Sequence, residues 1–296
     1  MGLPAVDRIE IPVSLRDPVT PLRYPGGKQK LTEFLRRCVV AANDPELVYL
    51  EPYAGGAGAA LALLKSNDVS RIVINDLDPA IYAFWHSAVH QNAELSNLVS
   101  TVDVTLEEWL KQREVYRATD VGDLLSLGFA TLFLNRTSRS GVLGAGVIGG
   151  MKQEGAYKVD ARFYRSTLIA RLQTIQQLAK SITVTNMDGI DLFRKYSRRS
   201  SSFFYIDPPY YEKGGSLYLN AFEHQDHMRL AACLNKYADR KWIMTYDRAP
   251  EIVDAYKERR QSTFWLRYSA HRVVTATELF IASDGVVVPG LHPGNG

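Results

Sequence analysis

The 296-residue chain has only two cysteines, Cys38 and Cys233, far apart and outside any Cys-x-x-Cys pair. That excludes a disulfide framework or a thiolate metal cluster as the organising principle, and it suits a reducing cytoplasm. The six histidines, at 86, 90, 224, 227, 271 and 292, show no ligand spacing, so no metal is expected. His224 and His227, three apart with no partner near them in sequence, read as surface residues of a helix. No apolar run approaches the roughly 20 residues of a membrane span. The start carries Asp7, Arg8, Glu10, Arg16 and Asp17, which argues against a secretion signal, and Val6 stands where a myristoylation signal needs Ser or Thr. A cytoplasmic location without membrane contact is therefore expected. An excess of one charge is also missing: 35 Lys and Arg face 32 Asp and Glu, a net of +3, which permits a polyanionic partner without demanding one.

What is present is an alternation of short apolar strands and helical spacings, long enough for one large α/β domain with an insertion or for two modest domains. Residues 1–20 read as an irregular arm with a short strand at 9–13. Helical spacing follows Gly26-Gly27 through residue 39. A strand at 48–50, a Gly-rich turn at 53–58, a helix at 59–65, a strand at 71–75 and a helix from 78 to about 90 form one βαβ unit. Helices are predicted at 105–118 and 123–135, then an aperiodic stretch rich in Gly, Ser and Arg at 136–157. Strands resume at 182–186, 203–206, 241–246, 264–268 and 278–282, with helices near 226–238 and 250–259. No internal repeat or low-complexity tract interrupts the pattern, and residues 286–296 read as a frayed end. The predicted division is an arm at 1–20, a catalytic domain at 21–90 and 180–285, and an insertion at 91–179.

Two places carry chemistry. Asp207-Pro208-Pro209-Tyr210 closes the apolar run of the strand at 203–206, at the carboxyl end where open α/β sheets bind ligands. The two prolines remove N–H donors and stiffen the exit. The Asp207 carboxylate and the Pro208 carbonyl offer acceptors for both hydrogens of an exocyclic amino group, and Tyr210 offers a ring to stack on it, which suits a flipped nucleobase. The second place is the turn Tyr53-Ala54-Gly55-Gly56-Ala57-Gly58, opening a helix where a ligand can approach the backbone. A dinucleotide fingerprint fails because Leu61 stands where the third glycine belongs. Asp76, ending the next strand, remains to accept from ribose hydroxyls, so the pattern favours S-adenosylmethionine over a nicotinamide cofactor.

Together with Pro21-Leu22-Arg23-Tyr24-Pro25-Gly26-Gly27-Lys28 and Glu51-Pro52-Tyr53-Ala54-Gly55-Gly56, the tetrapeptide at 207–210 resembles the Dam-type DNA adenine-N6 methyltransferases. The order of cofactor motif, basic insertion and catalytic motif is that of their alpha group. Phe133-Leu134-Asn135-Arg136, Gly149-Gly150 and Asp160-Ala161-Arg162-Phe163 resemble a branch of that family, while the insertion departs from the best known members, so their target sequence is not carried over. The resemblance implies a Rossmann-like methyltransferase sheet with helices on both faces and a mostly helical recognition insertion bearing a basic loop or hairpin. It implies that Tyr24, Gly26, Gly27 and Lys28 border the methionine end of S-adenosylmethionine, and that Pro52, Tyr53, Ala54, Gly55, Gly56 and Gly58 wrap it. Asp76 then holds the ribose, Asp188 contacts the adenine, and Asp207 borders both pockets. The catalytic set is Asp207, Pro208, Pro209 and Tyr210, and the product cofactor is S-adenosylhomocysteine.

The implied partner is double-stranded DNA, in a bacterial or phage setting; a companion restriction endonuclease is left open. Residues 136–171 hold seven basic side chains against Glu154 and Asp160, a local excess of five positive charges suited to a duplex backbone. Asn135, Arg136, Arg139, Lys152 and Lys158, with Arg23, are the candidates for DNA contact. Two alternatives stay open. Cytosine-N4 methylation uses the same amine chemistry, though its motif commonly carries Ser where Asp207 stands. A nucleic-acid-binding module that has lost catalysis is the other. Cytosine-C5 methylation is disfavoured because neither cysteine follows a proline.

Overall fold

The computed structural model describes residues 19–23, 31–212, 222–269 and 273–289, with the side chains of 265–269 and 273–276 also left aside. The expected strand at 9–13 and four expected cofactor residues, Tyr24, Gly26, Gly27 and Lys28, lie outside the described residues.

Seven strands, β1 (Val48–Glu51), β2 (Arg71–Asn75), β3 (Ile182–Thr185), β4 (Ser202–Ile206), β5 (Lys241–Asp247), β6 (Arg260–Ser269) and β7 (Val273–Ala282), form one sheet in the order β3-β2-β1-β4-β5-β7-β6. The first five are parallel, and β7 inserts antiparallel between β5 and β6. Because β1 pairs with both β2 and β4, the winding direction reverses between β1 and β4. The carboxyl ends of those two strands therefore flank the crevice in which doubly wound sheets take ligands.

Alternation along each strand divides the apolar side chains between two cores. Tyr49, Ile72, Ile74, Phe203, Tyr205, Ile243 and Phe280 face one, which α1 (Thr32–Ala41), α2 (Gly58–Lys65) and α3 (Pro79–His90) cover. Leu50, Val73, Phe204, Ile206, Met244 and Ile281 face the other, covered by α8 (Gly189–Tyr196), α9 (His224–Lys236) and α10 (Pro250–Ala255). Helices thus lie on both faces, as expected. Local chemistry sets the starts: Asp78 accepts from Ala80 N at 2.8 Å with Pro79 in the first helical position, and Thr105 accepts from Glu108 N at 3.1 Å.

Between α3 and β3 run α4 (Asn92–Thr101), α5 (Leu106–Ala118), α6 (Leu124–Thr137) and α7 (Arg165–Leu178). This insertion shares the first core: Trp109, Phe133, Leu168, Leu172 and Ile175 belong to the same buried cluster as Leu61 and Phe84. The crossing of α6 over α3 is close, since a methyl group at Gly128 would fall 2.6 Å from the Ala83 carbonyl oxygen. Beyond α6, Ser138 and Val147 form an antiparallel bridge that closes the Gly-rich stretch into a short loop. Helices α4, α7 and α8 were not anticipated from sequence, and α10 stops at Ala255, where turns lead into a β6 that begins four residues earlier than expected.

Candidate active site

The turn after β1 is built by its neighbours. Gly55 has φ +46° and Ala57 φ +43°, so the chain passes twice through left-handed backbone before α2 begins. The first of these steps is braced. Gly55 N donates to Asp76 Oδ2 at 2.9 Å, Trp85 Nε1 donates to the Gly55 carbonyl at 2.8 Å, and Ala54 N donates to the Asn75 carbonyl at 2.9 Å. Asp76 Oδ1 also accepts from Asp78 N, so its two oxygens tie the turn to the start of α3 while Asp78 does the helix capping. Burial pushes the Asp76 carboxyl up to about 6, against the pull of the Asp78 and Gly55 amides. Glu51, buried at the end of β1, accepts from Ala60 N at 3.0 Å; burial pushes it up to about 8, and the charge of Asp207 adds to the rise.

Asn75 is the residue on which three strand ends converge. Its Nδ2 donates to the carbonyls of Pro52 (2.8 Å) and Met187 (2.9 Å), while its Oδ1 accepts from Thr185 Oγ1 (2.7 Å) and Met187 N (2.9 Å). Every hydrogen-bonding position of a fully buried amide is used. On the far side of β3, Asp188 Oδ1 caps α8 by accepting from Ile190 N and Asp191 N. Tyr53 lies over the start of that helix: a methyl group at Gly189 would meet its ring at 2.4 Å.

The segment 207–212 leaves β4 and is gripped by β5 and β7. Thr245 Oγ1 donates to Asp207 Oδ1 at 2.8 Å, and the Tyr205 hydroxyl lies 2.8 Å from Thr245 Oγ1. Asp247 accepts from the backbone amides of Tyr211 (2.9 Å) and Glu212 (2.6 Å). The Tyr210 hydroxyl donates to Glu278 Oε2 at 2.8 Å, and its ring lies 6.0 Å from that of Tyr246 at 31°. Burial, then the charges of Asp207 and Glu278, hold the Tyr210 phenol far above its ordinary range, so it stays a donor. Thr245, Asp247 and Glu278 are buried polar residues in strands that otherwise bury apolar side chains, the first two near the carboxyl end of β5 and Glu278 midway along β7, opposite Asp247. Sequence reasoning passed over all three. A polar residue interrupting an apolar strand was the available signal.

A family model described as D12 class N6 adenine-specific DNA methyltransferase matches residues 24–275. The chain belongs to that family. It is a DNA adenine-N6 methyltransferase, and the glycine turn and the 207–210 segment flank one crevice of the sheet. No curated protein matches it. Among solved structures it is similar to the rRNA methyltransferase AviRa of Streptomyces viridochromogenes, at 12% identity over 88% of this chain and 86% of that one, with a TM-score of 0.36. Among the described residues no group of three or more His, Cys, Asp or Glu side chains is placed to hold a metal, and no helix is long and apolar enough to cross a membrane.

Two expectations about the methyltransferase need correction. His227 is not a surface residue: it is buried, hydrogen-bonded through Nδ1 to the Tyr246 hydroxyl, and burial holds it below the usual histidine range. His224 Nδ1 lies 2.9 Å from the Tyr211 hydroxyl, so both histidines brace the aromatic groups behind the 207–212 segment. Likewise Asn135 and Arg136 face inward, where neither meets a duplex. Asn135 clamps the Arg23 backbone, accepting from its N–H at 2.6 Å and donating to its carbonyl at 2.7 Å. Arg136 donates to the carbonyls of Arg162 (3.0 Å) and Pro21 (3.4 Å), and burial, then the charges of Arg171 and Arg23, pull its guanidinium down to about 10. Arg165 and Arg171 also spend their guanidinium groups on carbonyls, of Val99, Val102 and Thr20. The basic excess of the insertion is therefore partly structural. Arg139, Lys152 and Lys158 remain exposed, and Arg23 is half-buried, its guanidinium shifted down by burial and then by Arg162.

Proposed function

We propose that this methyltransferase transfers a methyl group from S-adenosylmethionine to the N6 nitrogen of an adenine turned out of double-stranded DNA. The observation that carries the proposal is the placement of Asp207-Pro208-Pro209-Tyr210 at the carboxyl end of β4, across the winding reversal from the glycine turn that follows β1. S-Adenosylmethionine, when bound, supplies an electrophilic methyl on a sulfonium sulfur and departs as S-adenosylhomocysteine. The residues present suit that group: a left-handed turn at 55–57 brings backbone close to a ligand, and the half-buried carboxylates Asp76 and Asp188 stand at the ends of β2 and β3 for hydroxyl and amine donors. Each oxygen of Asp76 accepts one amide and retains capacity for a ribose hydroxyl. Pro52, Tyr53, Ala54, Gly56 and Gly58 complete the wrap, and the family resemblance assigns Tyr24, Gly26, Gly27 and Lys28, outside the described residues, to the methionine end.

The adenine amino group is a poor nucleophile because its lone pair is delocalised into the ring. Asp207 and the Pro208 carbonyl, accepting its two hydrogens, bias the nitrogen toward a pyramidal geometry that frees the pair for attack. Were the donor bound, that pair would take up its methyl group and the amino group would give up one proton to solvent, while Asp207 and the Pro208 carbonyl hold the amine in place. Holding the amine in line contributes up to roughly 7–11 kcal/mol. Extruding the base costs a few kcal/mol, and stacking on Tyr210, worth about 1–3 kcal/mol, offsets much of it. Arg139, Lys152, Lys158 and Arg23 supply contacts to the duplex.

The test is nucleoside analysis of unmethylated genomic DNA incubated with the protein and S-adenosylmethionine, beside Asp207→Ala with calorimetric cofactor binding. N6-methyladenine from the parent, none from the variant, and cofactor affinity retained within a few-fold are expected. Full methylation by Asp207→Ala would overturn the assignment.

A further inference from the structure

We propose that Thr245 is a positioning residue for methyl transfer, acting through Asp207, with Tyr205 behind it. The inference rests on the reading that Asp207 receives the target amino group. Ile206 lies opposite Met244 in the parallel β4–β5 register, so the next pair along, Asp207 and Thr245, are also neighbours, and Tyr205 shares its face of β4 with Asp207. The directions of the hydrogen bonds follow from valence. An ionised carboxylate only accepts, so the single hydrogen of Thr245 goes to Asp207 Oδ1, and the Tyr205 hydroxyl must then donate into Thr245 Oγ1. Both links are 2.8 Å, and Tyr205 and Thr245 are buried. Burial, followed by the charge of Asp207, pushes the Tyr205 phenol well above its ordinary range, so the hydrogen stays on tyrosine.

A chain of donors in a low-dielectric interior polarises each successive bond. It also fixes an angle that nothing in aspartate itself fixes, because the terminal torsion of an Asp carboxylate is broad and two-fold. Productive geometry tolerates errors of only about 10–20°. Thr245 thereby selects one plane for the carboxylate, and Tyr205 holds the Thr245 hydroxyl in the rotamer that donates. Asp247, two residues on along β5, fixes the backbone of 211–212 from the same strand, so the side chain and the main chain of the segment are set by one element.

The test uses the full chain, unmethylated genomic DNA and labelled S-adenosylmethionine, with Thr245→Val, Thr245→Ser, Tyr205→Phe and Asp207→Ala. Thr245→Val is expected to lower kcat about ten- to a hundredfold, the scale of one lost hydrogen bond to a charged group, while KM for DNA and the cofactor Kd stay near the parent values. Thr245→Ser, which keeps the hydroxyl, is expected to restore most of the turnover, and Tyr205→Phe to cost less than Thr245→Val. An unchanged kcat in Thr245→Val beside an inactive Asp207→Ala overturns the relay and leaves the assignment of Asp207 standing. Activity in both overturns the assignment itself. A rise in KM and Kd that matches the fall in kcat makes Thr245 a general structural residue and also overturns the proposal. Should Thr245→Val melt below the assay temperature, Tyr205→Phe decides, and parent-like turnover there defeats the relay.

Discussion

Replacing Asn75 by alanine removes four hydrogen bonds at one stroke: those to the Pro52 and Met187 carbonyls and those from Thr185 Oγ1 and Met187 N. A buried group left without a partner costs roughly 1–3 kcal/mol. Four such losses would sum to far more than is realistic, because Met187 and Thr185 are only partly buried and water reaches them once the amide is gone. The Pro52 carbonyl lies on a buried residue and bears its loss in full. About 2–4 kcal/mol of destabilisation is therefore expected, a large share of the roughly 5–15 kcal/mol typical of a folded domain. At about 2–4 °C per kcal/mol, the scale for large single domains, the melting temperature falls by about 4–16 °C. The damage is local to the three strand ends that bear the glycine turn, Asp76 and Asp188, so S-adenosylmethionine affinity weakens along with stability. Thermal unfolding with and without cofactor, and calorimetric titration of the variant, read both effects. A melting shift below 2 °C with unchanged cofactor affinity refutes the argument that Asn75 organises this end of the sheet.

Other outcomes follow from the same geometry. Tyr210→Ala is expected to lower kcat/KM by about 1–3 kcal/mol, the worth of one stacked base, whereas Tyr210→Phe, which loses only the tether to Glu278, costs less; equal losses in steady-state kinetics would deny the ring its stacking role. Asn135→Ala and Arg136→Ala are expected to lower the melting temperature, while Arg139→Ala and Lys152→Ala leave it in place. If either of the latter contacts a phosphate, the slope of log K for DNA against log salt falls by about 0.9 per contact, which fluorescence anisotropy at several salt concentrations measures. The buried Glu51 has a folded value near 8, above its unfolded value, so the native state holds the extra proton between about pH 4.5 and 8 and loses stability as pH rises through that window. Glu51→Gln stays neutral and keeps an acceptor for Ala60 N. Its stability relative to the parent is expected to grow from pH 5 to 9, by at most about 5 kcal/mol, and parallel denaturation curves across that range would contradict the assignment.

The sequence by itself determined the βαβ beginning, the chemistry at 207–210 and the family, because each depends on residues adjacent in the chain. A glycine turn needs contiguous glycines, and a Pro-Pro exit needs its strand just before it. Helices on both faces of the sheet followed from the family resemblance, and helices starting at Asp78 and Thr105 were legible in the chain itself. Only the tertiary structure decided which polar residues hold those motifs in place. Asn75 meets Met187 more than a hundred positions away, Thr245 meets Asp207 across the β4–β5 register, and Glu278 reaches Tyr210 from a strand that enters the sheet out of sequence order. No local spacing encodes such pairs. The basic insertion shows the same limit: charge counting treats every arginine alike, but burial turns Arg136, Arg165 and Arg171 toward carbonyl oxygens and leaves Arg139, Lys152 and Lys158 outside, a division set by which face of each helix or loop the core claims.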